Sequence, residues 1–225
     1  WEVAEFNHLT LRINDSSSDS DQVNFKLEEE KLTELTLKYA PKASVIGTNT
    51  LQSVQLRRLF AKFSEQQVFM KSLEVPRVFA ESQRSQMFMG YSELSVLAVS
   101  LGRLTLYPLE EVLGIVSGPN EDLLLSLNLH PVKSFISTTE LEMVAVEAVA
   151  NKGCDINYIL GKPYLQSCLE FVPGLGPVRA QHLLGSIKES LLARTEMLQS
   201  KMLPKKIYQN AAGFIKVFGK DPKRA

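Results

Sequence analysis

The stretch FVPGLGPVRAQHLL, residues 171–184, restricts the fold of this chain more than any other feature. It joins two apolar runs of helical spacing by Pro-Gly-Leu-Gly-Pro and by nothing else. A flexible linker would be longer and more polar, and a continuous helix would not contain two glycines and two prolines. The stretch therefore predicts a short, fixed hairpin between two helices.

The hairpin has the pattern of a helix-hairpin-helix motif, in which each residue type has a physical reason. Gly174 and Gly176 permit the dihedrals of a very short turn and expose bare amides. Leu175 between them can anchor the turn to the helix pair, and Ala180 lets the helices approach closely. Pro177 begins the second helix, where an N–H would be unpaired in any case. The resulting helix N-terminus is a site for a phosphate oxygen, and such a contact binds the nucleic-acid backbone rather than its bases.

We expect the hairpin, the start of the following helix and a second basic helix to contact nucleic acid. The predicted residues are Gly174, Leu175, Gly176, Pro177, Val178, Arg179, Lys205 and Lys206. Backbone amides of residues 174–179 would bind the phosphate, helped by the helix dipole, with Arg179 as the nearest side-chain cation. The alternative is a helix–helix corner that binds no ligand.

A degenerate second copy of the motif follows in MLPKKIYQNAAGFIKV, residues 202–217. An apolar residue and a proline again precede a short basic helix, with Lys205 and Lys206 in place of the hairpin glycines. The pattern predicts a tandem of one intact and one degenerate copy. The alternative is a solvated face on a stabilising pseudo-repeat.

Charge is divided unevenly along a chain whose net charge is zero. Residues 1–151 contain 13 Lys+Arg and 20 Asp+Glu, whereas residues 152–225 contain 12 and 5. This asymmetry predicts that the C-terminal third attracts polyanions and that the remainder does not. Electrostatic pairing of the two parts with each other is the alternative.

Composition places the chain among ordinary globular proteins, with 44% apolar and 22% charged residues. No apolar run reaches the roughly 18 residues of a membrane span. Cys154 and Cys168 lack CxxC spacing, and we expect them to be reduced packing thiols of an intracellular protein, with a disulfide between them as the alternative. The three histidines have no metal-ligand spacing, and no nucleotide-binding glycine loop is present, so the sequence predicts neither metal nor cofactor.

Hydrophobic periodicity divides the chain into an α/β part and a helical part. The first part contains, in order, predicted strands and helices at residues 1–13, 28–40, 43–47, 51–63 and 68–80, the last as one or two extended segments. After residue 90 helices predominate, one ending before Pro108, one beginning there, and one opening with a capping-box pattern and ending at Gly153, for which an αL cap is expected. Asp155 or Asn157 can cap the helix that follows.

Five segments occur in the order and spacing of the central region of the Tex family, which the chain therefore resembles. They are LSVLAVSLGRLTLYPLEEVL, SLNLHP, VANKGCDIN, FVPGLGPVRAQHLL and LPKKIYQNAAGFIKV. The resemblance covers residues 1–220 and is strongest after residue 92. It is closer to the eukaryotic branch, the suppressor-of-Ty six elongation factors and histone chaperones, than to bacterial Tex.

The resemblance implies an α/β plus all-α fold. Residues 1–105 would be a YqgF domain with an RNase H-like fold, residues 106–151 connecting helices, and residues 152–225 a tandem helix-hairpin-helix domain. The first two strands of an RNase H-like sheet would precede Trp1, so a partial domain is expected. The family further implies a nuclear protein that acts with the RNA polymerase II elongation complex and histones, and that binds DNA, with RNA as an alternative.

Two other function classes stay open beside a non-catalytic nucleic-acid-binding scaffold. The RNase H-like fold is shared with nucleases and resolvases, whose two-metal chemistry needs three or four converging carboxylates. After the strand ASVIG the chain has Gly47, Thr48 and Asn49 instead, and only Glu81 and Glu93 are available. We therefore expect no enzyme activity. The third class is a pure protein-interaction scaffold whose acidic part faces basic partners.

Overall fold

The computed structural model describes residue 3 and residues 19–49, 52–62, 67–117, 131 and 135–218, in two compact units. The first unit ends at Leu106 and the second begins at Tyr107. The elements of the first unit are α1 (Asp19–Tyr39), β1 (Ala43–Thr48), α2 (Gln52–Lys62), β2 (Gln67–Ser72), α3 (Glu74–Glu81), a 3₁₀ helix (Gln83–Phe88) and α4 (Glu93–Leu106). The strand predicted over residues 1–13 lies, apart from one residue, outside the described residues.

A parallel βαβ unit, made of β1, α2 and β2, lies in the first unit. The two strands pair over six residues each, beginning with Ala43 opposite Gln67. Parallel strands require a crossover connection, which α2 supplies. The hydroxyl of Ser53 donates to the carbonyl of Gly47 at 2.9 Å and ties the start of α2 to β1. The predicted ASVIG strand and the helix after it are confirmed.

The segment after β2 is a helix, whereas the sequence pattern indicated extended structure throughout residues 68–80. In α3, Pro76, Val78 and Phe79 are buried, and residues three apart, such as Pro76 and Phe79, share a face of a helix. Proline is tolerated there because the first turn of a helix leaves its N–H groups unpaired. Eight residues are too few to separate a helical period from that of a strand, which explains the error.

A buried arginine packs in the core of the first unit. Arg103 of α4 is only 6% exposed. Its guanidinium lies 5.7 Å from the ring centroid of Phe79 and 5.4 Å from that of Phe88. A guanidinium is weakly hydrated and stacks on aromatic faces, so it fits between α3, α4 and the 3₁₀ helix better than an ammonium group would.

The second unit is helical, with one short pair of strands. Its elements are α5 (Pro108–Val116), α6 (Thr138–Lys152), β3 (Cys154–Asp155), α7 (Ile156–Leu160), a 3₁₀ helix (Pro163–Phe171), α8 (Gly176–Ser186), α9 (Glu196–Gln199), α10 (Lys205–Ala211) and β4 (Ile215–Lys216). The strands pair in parallel, with Cys154 opposite Ile215, and were too short to predict. The segment SLNLHP, residues 126–131, lies outside the described residues except for Pro131. Over the part of the chain described here, no helix has both the length and the apolar character needed to cross a membrane.

The ends of α6 and α7 follow the predicted capping chemistry with one difference. The Glu140 amide donates to the Ser137 hydroxyl at 3.3 Å, and the Ser137 amide donates to the Glu140 carboxylate at 2.8 Å, which confirms the capping box. Asp155 caps α7 by accepting from the amide of Tyr158 at 3.4 Å. Gly153 ends α6 with φ +72° and ψ +157°, so its φ is positive but the conformation is not αL as predicted.

Cys154 and Cys168 are free thiols, as predicted, and each is only 2% exposed. Their sulfur atoms lie 2.7 Å apart. The hydrogen bond between them, and burial, raise the pKa of the Cys154 thiol. A protonated, buried thiol behaves as a small apolar group, so the pair fills the space between β3 and the 3₁₀ helix.

Candidate nucleic-acid interface

The intact hairpin connects the 3₁₀ helix to α8 through residues 172–175. Gly174 has φ +87° and Gly176 has φ +70°, which glycine adopts readily and other residues avoid. The predicted dihedral role of both glycines is confirmed. A Cβ added to Gly176 would meet no atom within 4 Å, so the space beside this residue is open.

Leu175 and Ala180 hold the hairpin to the helix pair. Leu175 is 2% exposed and Ala180 is fully buried, which confirms the packing roles predicted for them. The amide of Leu175 donates to the carbonyl of Val172 at 3.0 Å. Because that amide is engaged within the turn and the side chain is buried, Leu175 supports the hairpin and does not offer a contact of its own.

Two of the predicted amide donors belong to the first turn of α8. N–H groups in the first turn of a helix have no acceptor within it, and Pro177 has no N–H at all. Gly176 and Val178 are therefore the first-turn residues whose amides an anion could reach. Val178 is 79% exposed, which leaves this end of the helix accessible. Of the amide donors predicted over residues 174–179, Leu175 and Pro177 are excluded, and the others stay predictions.

Gly174 packs directly against α10, which joins the intact copy of the motif to the degenerate one. A Cβ added to Gly174 would lie 2.8 Å from the Cβ of Asn210, closer than two such atoms approach. Glycine is required at this position for the contact as well as for its φ. The sequence analysis assigned no role to Asn210, and the only sequence signal for the contact is the glycine opposite it.

Three exposed cations lie in the first turns of α8 and α10. Arg179 donates from Nη1 to the carbonyl of Gly174 at 3.2 Å, so it also braces the turn. Lys206 precedes Asn210 by one helical turn and shares its face of α10, the face that meets the hairpin. Lys205 and Lys206 begin α10, and both are exposed. The predicted cations thus lie near the starts of two helices, and Arg179 is hydrogen-bonded to the hairpin residue that packs against α10.

Four buried positions in and around the intact hairpin have a buried residue 28 positions later, in the predicted second copy. The buried pairs are Leu169 and Met197, Leu175 and Leu203, Leu183 and Ala211, and Ile187 and Ile215. In this register Lys205 and Lys206 correspond to Pro177 and Val178, at the start of the helix. Counted from the first residue of each helix, Lys205 instead corresponds to Gly176, so the predicted replacement of the hairpin glycines by these lysines stays a prediction.

The turn of the degenerate copy is a Schellman motif. The amide of Met202 donates to the carbonyl of Met197 at 3.0 Å, and that of Lys201 to the carbonyl of Leu198 at 3.1 Å. Lys201 has φ +54°, a conformation that glycine usually occupies at this position. The second turn is thus closed without either glycine of the intact hairpin.

The geometry defines a helix-hairpin-helix unit, with a tight two-glycine turn and an accessible helix N-terminus. The family model described as a helix-hairpin-helix motif matches residues 121–218. Across the described ranges, no group of three or more His, Cys, Asp or Glu side chains is arranged to hold a metal ion.

The curated relatives that this chain matches are named as transcription elongation factors or suppressor-of-Ty homologues. The chain is 36% identical over 126 residues to the transcription elongation factor SPT6-like protein of Arabidopsis thaliana. It is 35% identical over 127 residues to the suppressor of Ty 6 homolog of Caenorhabditis elegans, and 35% over 124 residues to the transcription elongation factor SPT6 of Candida glabrata. The alignments cover 52–53% of this chain and 8–9% of each relative, so the chain spans less than a tenth of their length. The resemblance to suppressor-of-Ty six proteins is confirmed.

Proposed function

We propose that this chain is a non-catalytic, nucleic-acid-binding part of a transcription elongation factor, and that its hairpin binds the sugar-phosphate backbone of DNA. The observation that carries the proposal is the position of Gly176. Its φ of +70° turns the chain into α8, and the space beside it is open. A phosphate oxygen approaching there meets first-turn amides and the positive end of the helix dipole.

Side-chain cations add to this backbone contact. Arg179, Lys205 and Lys206 are exposed, and they lie in the part of the chain that contains 12 Lys+Arg against 5 Asp+Glu. None of these groups reads a base edge in the proposed contact, so binding is sequence-independent. Single-stranded RNA offers the same phosphates and is the competing ligand in the tests below.

The first test measures binding of a short labelled DNA duplex by fluorescence anisotropy. Gly176→Val places a branched side chain at positive φ and in the approach path, and we expect the affinity to fall about ten- to a hundredfold, the effect of one charge-assisted hydrogen bond. Gly161→Val is the matched control, because Gly161 has φ −79° and equally open surroundings. Circular dichroism checks folding. A folded Gly176→Val variant that binds DNA as tightly as the parent would show that the hairpin is a helix–helix corner that binds no ligand.

The second test separates phosphate contacts from general charge. The variant Lys205→Glu/Lys206→Glu should weaken binding and lower the slope of log affinity against log salt by about one for each phosphate that the protein no longer neutralises. Lys71→Glu, an exposed lysine of β2 in the first unit, is the control and should change neither quantity. Equal effects of both variants would contradict a contact at α10. Repeating the titration with single-stranded RNA ranks the two nucleic acids.

The first unit is proposed to be the partial RNase H-like YqgF domain, followed by connecting helices and the tandem motif at the boundaries predicted above. The parallel β1–α2–β2 arrangement supports this assignment. When the side-chain amide of Asn49 is oriented so that both its nitrogen and its oxygen have hydrogen-bond partners, the oxygen accepts from the guanidinium of Arg77 at 2.5 Å and 3.2 Å. A cation at the end of β1 opposes Mg²⁺ binding where a nuclease would hold its metal.

The absence of nuclease activity is accordingly part of the proposal. The chain should leave DNA and RNA intact in the presence of Mg²⁺ or Mn²⁺. Glu93 begins α4 and is exposed, so it is the residue to replace if cleavage is seen. Metal-dependent cleavage that disappears in Glu93→Gln would overturn the non-catalytic assignment.

The wider cellular role is proposed from the names of the relatives, since they are transcription elongation factors of much greater length. We expect the whole protein to be nuclear and to act with the RNA polymerase II elongation complex and histones. Crosslinking of the full-length protein along an actively transcribed gene tests this. A signal that does not follow the polymerase would contradict it.

A further inference from the structure

The start of α6 carries a cluster of large apolar side chains that face solvent. Phe135 is 82% exposed, Met143 68%, Val144 62% and Ile136 43%. They line a groove of about 980 Å³ along the helix. Apolar clusters of this kind on a folded protein mark sites of protein–protein contact.

The charge of this groove has one sign. Of the ten described residues that line it, three are glutamates, Glu140, Glu142 and Glu147, and none is lysine or arginine. Glu142 and Glu147 are exposed. The carboxylate of Glu140 accepts hydrogen bonds from Ser137 in the capping box, which fixes it at the helix start. An apolar groove with an acidic rim results.

We infer that this groove on α6 docks a basic amphipathic helix of a protein partner. The apolar face of such a helix fills the groove between Phe135 and Val144, and its lysine or arginine side chains reach the glutamates. The acidic rim rejects nucleic acid. It also disfavours a second copy of this chain, because a two-fold contact would bring the glutamates of one copy close to those of the other.

The inference is independent of the proposed function, because the two surfaces differ in chemistry. The hairpin offers amides and cations to an anion, whereas the α6 groove offers carboxylates and apolar contacts to a cation. Variants at one surface should therefore leave the affinity of the other unchanged.

The experiment uses the whole chain and two synthetic helical peptides of equal length. One peptide has leucine on one face of its helix and lysine on the opposite face. The other has glutamate in place of every lysine. We expect the leucine–lysine peptide to bind by fluorescence anisotropy and to gain helicity by circular dichroism, and the leucine–glutamate peptide to bind far more weakly.

Two variants remove the two parts of the groove. Met143→Gln/Val144→Gln replaces the apolar surface with a good helix former, and Glu142→Lys/Glu147→Lys reverses the rim. Each should weaken binding of the leucine–lysine peptide by roughly tenfold or more, as expected when an apolar anchor or a complementary charge is removed. Glu189→Lys, an exposed glutamate in the same unit but outside the groove, is the control and should leave the affinity unchanged.

Three results would overturn the inference. The first is equal binding of the peptide to the parent and to both groove variants. The second is equal binding of the two peptides, which would make the surface apolar without charge preference. The third is a dimer in sedimentation velocity that Met143→Gln/Val144→Gln disperses, because the groove would then be covered by a second copy of the chain.

Discussion

The side-chain amide of Asn157 forms hydrogen bonds with both the backbone carbonyl and the backbone amide of Leu191. Its Nδ2 donates to the carbonyl of Leu191 at 2.8 Å, and its Oδ1 accepts from the amide of Leu191, also at 2.8 Å. The same Nδ2 donates to the carbonyl of Phe218 at 2.8 Å. The Asn157 side chain on α7 thus connects the loop after α8, at Leu191, with the segment after β4, at Phe218.

Asn157→Ala should therefore destabilise the second unit. The variant cannot form these three hydrogen bonds, and it leaves backbone groups in a partly buried region unpaired. We expect the free energy of unfolding to fall by about 1–3 kcal/mol, which urea denaturation measures. Asn151→Ala, at an exposed position of α6, is the control and should stay within about 0.5 kcal/mol of the parent.

The two hairpin glycines should differ in their tolerance of alanine. Gly176→Ala introduces only backbone strain, about 1–2 kcal/mol, because its surroundings are open. Gly174→Ala adds a clash with the Cβ of Asn210 and should cost about 1–3 kcal/mol more. Gly185→Ala, in α8 with open surroundings, should instead stabilise the unit. Similar destabilisation at Gly174 and Gly176 would mean that the hairpin does not pack on α10 as described.

Lys201→Gly should stabilise the degenerate copy. Lys201 has φ +54°, and glycine relieves about 1 kcal/mol of backbone strain there. The opposite effect is expected for Gln209→Gly within α10, where glycine costs about 1 kcal/mol relative to a good helix former. Thermal unfolding of both variants gives the comparison, and a fall in melting temperature for Lys201→Gly would contradict the Schellman geometry.

The capping box of α6 should weaken in acid. Hydrogen bonds from the backbone and hydroxyl of Ser137 lower the pKa of Glu140. A carboxyl group with a lowered folded-state pKa stabilises the fold above its ordinary pKa of about 4.3, and this contribution disappears as the pH falls through the folded-state value. The difference in melting temperature between the parent and Glu140→Gln should therefore shrink on acidification. A difference that grows in acid would show that the charge of Glu140 opposes folding.

The sequence predicted the hairpin well because its chemistry is local. Positive φ at Gly174 and Gly176, a buried Leu175 and a helix beginning near Pro177 all follow from neighbouring residues. The capping box at Ser137 was predictable for the same reason.

The sequence did not predict features that depend on distant partners. The contact between Gly174 and Asn210 joins residues 36 positions apart, and no local pattern encodes it. The short β3–β4 pair has too few residues for a period to appear.

The pairing of β3 with β4 affects the order in which parts of the second unit can fold during synthesis. Cys154 pairs with Ile215, the Cys154 amide donates to the carbonyl of Phe214 at 2.8 Å, and Lys216 donates to the carbonyl of Lys152 at 2.6 Å. Chains are synthesised from the N-terminus, so residues 152–154 wait for these partners until some 60 further residues have been added. The hairpin is thus synthesised well before the strand β4 that completes its unit. A chain that ends before Phe214 would leave the ribosome unable to form the β3–β4 pair.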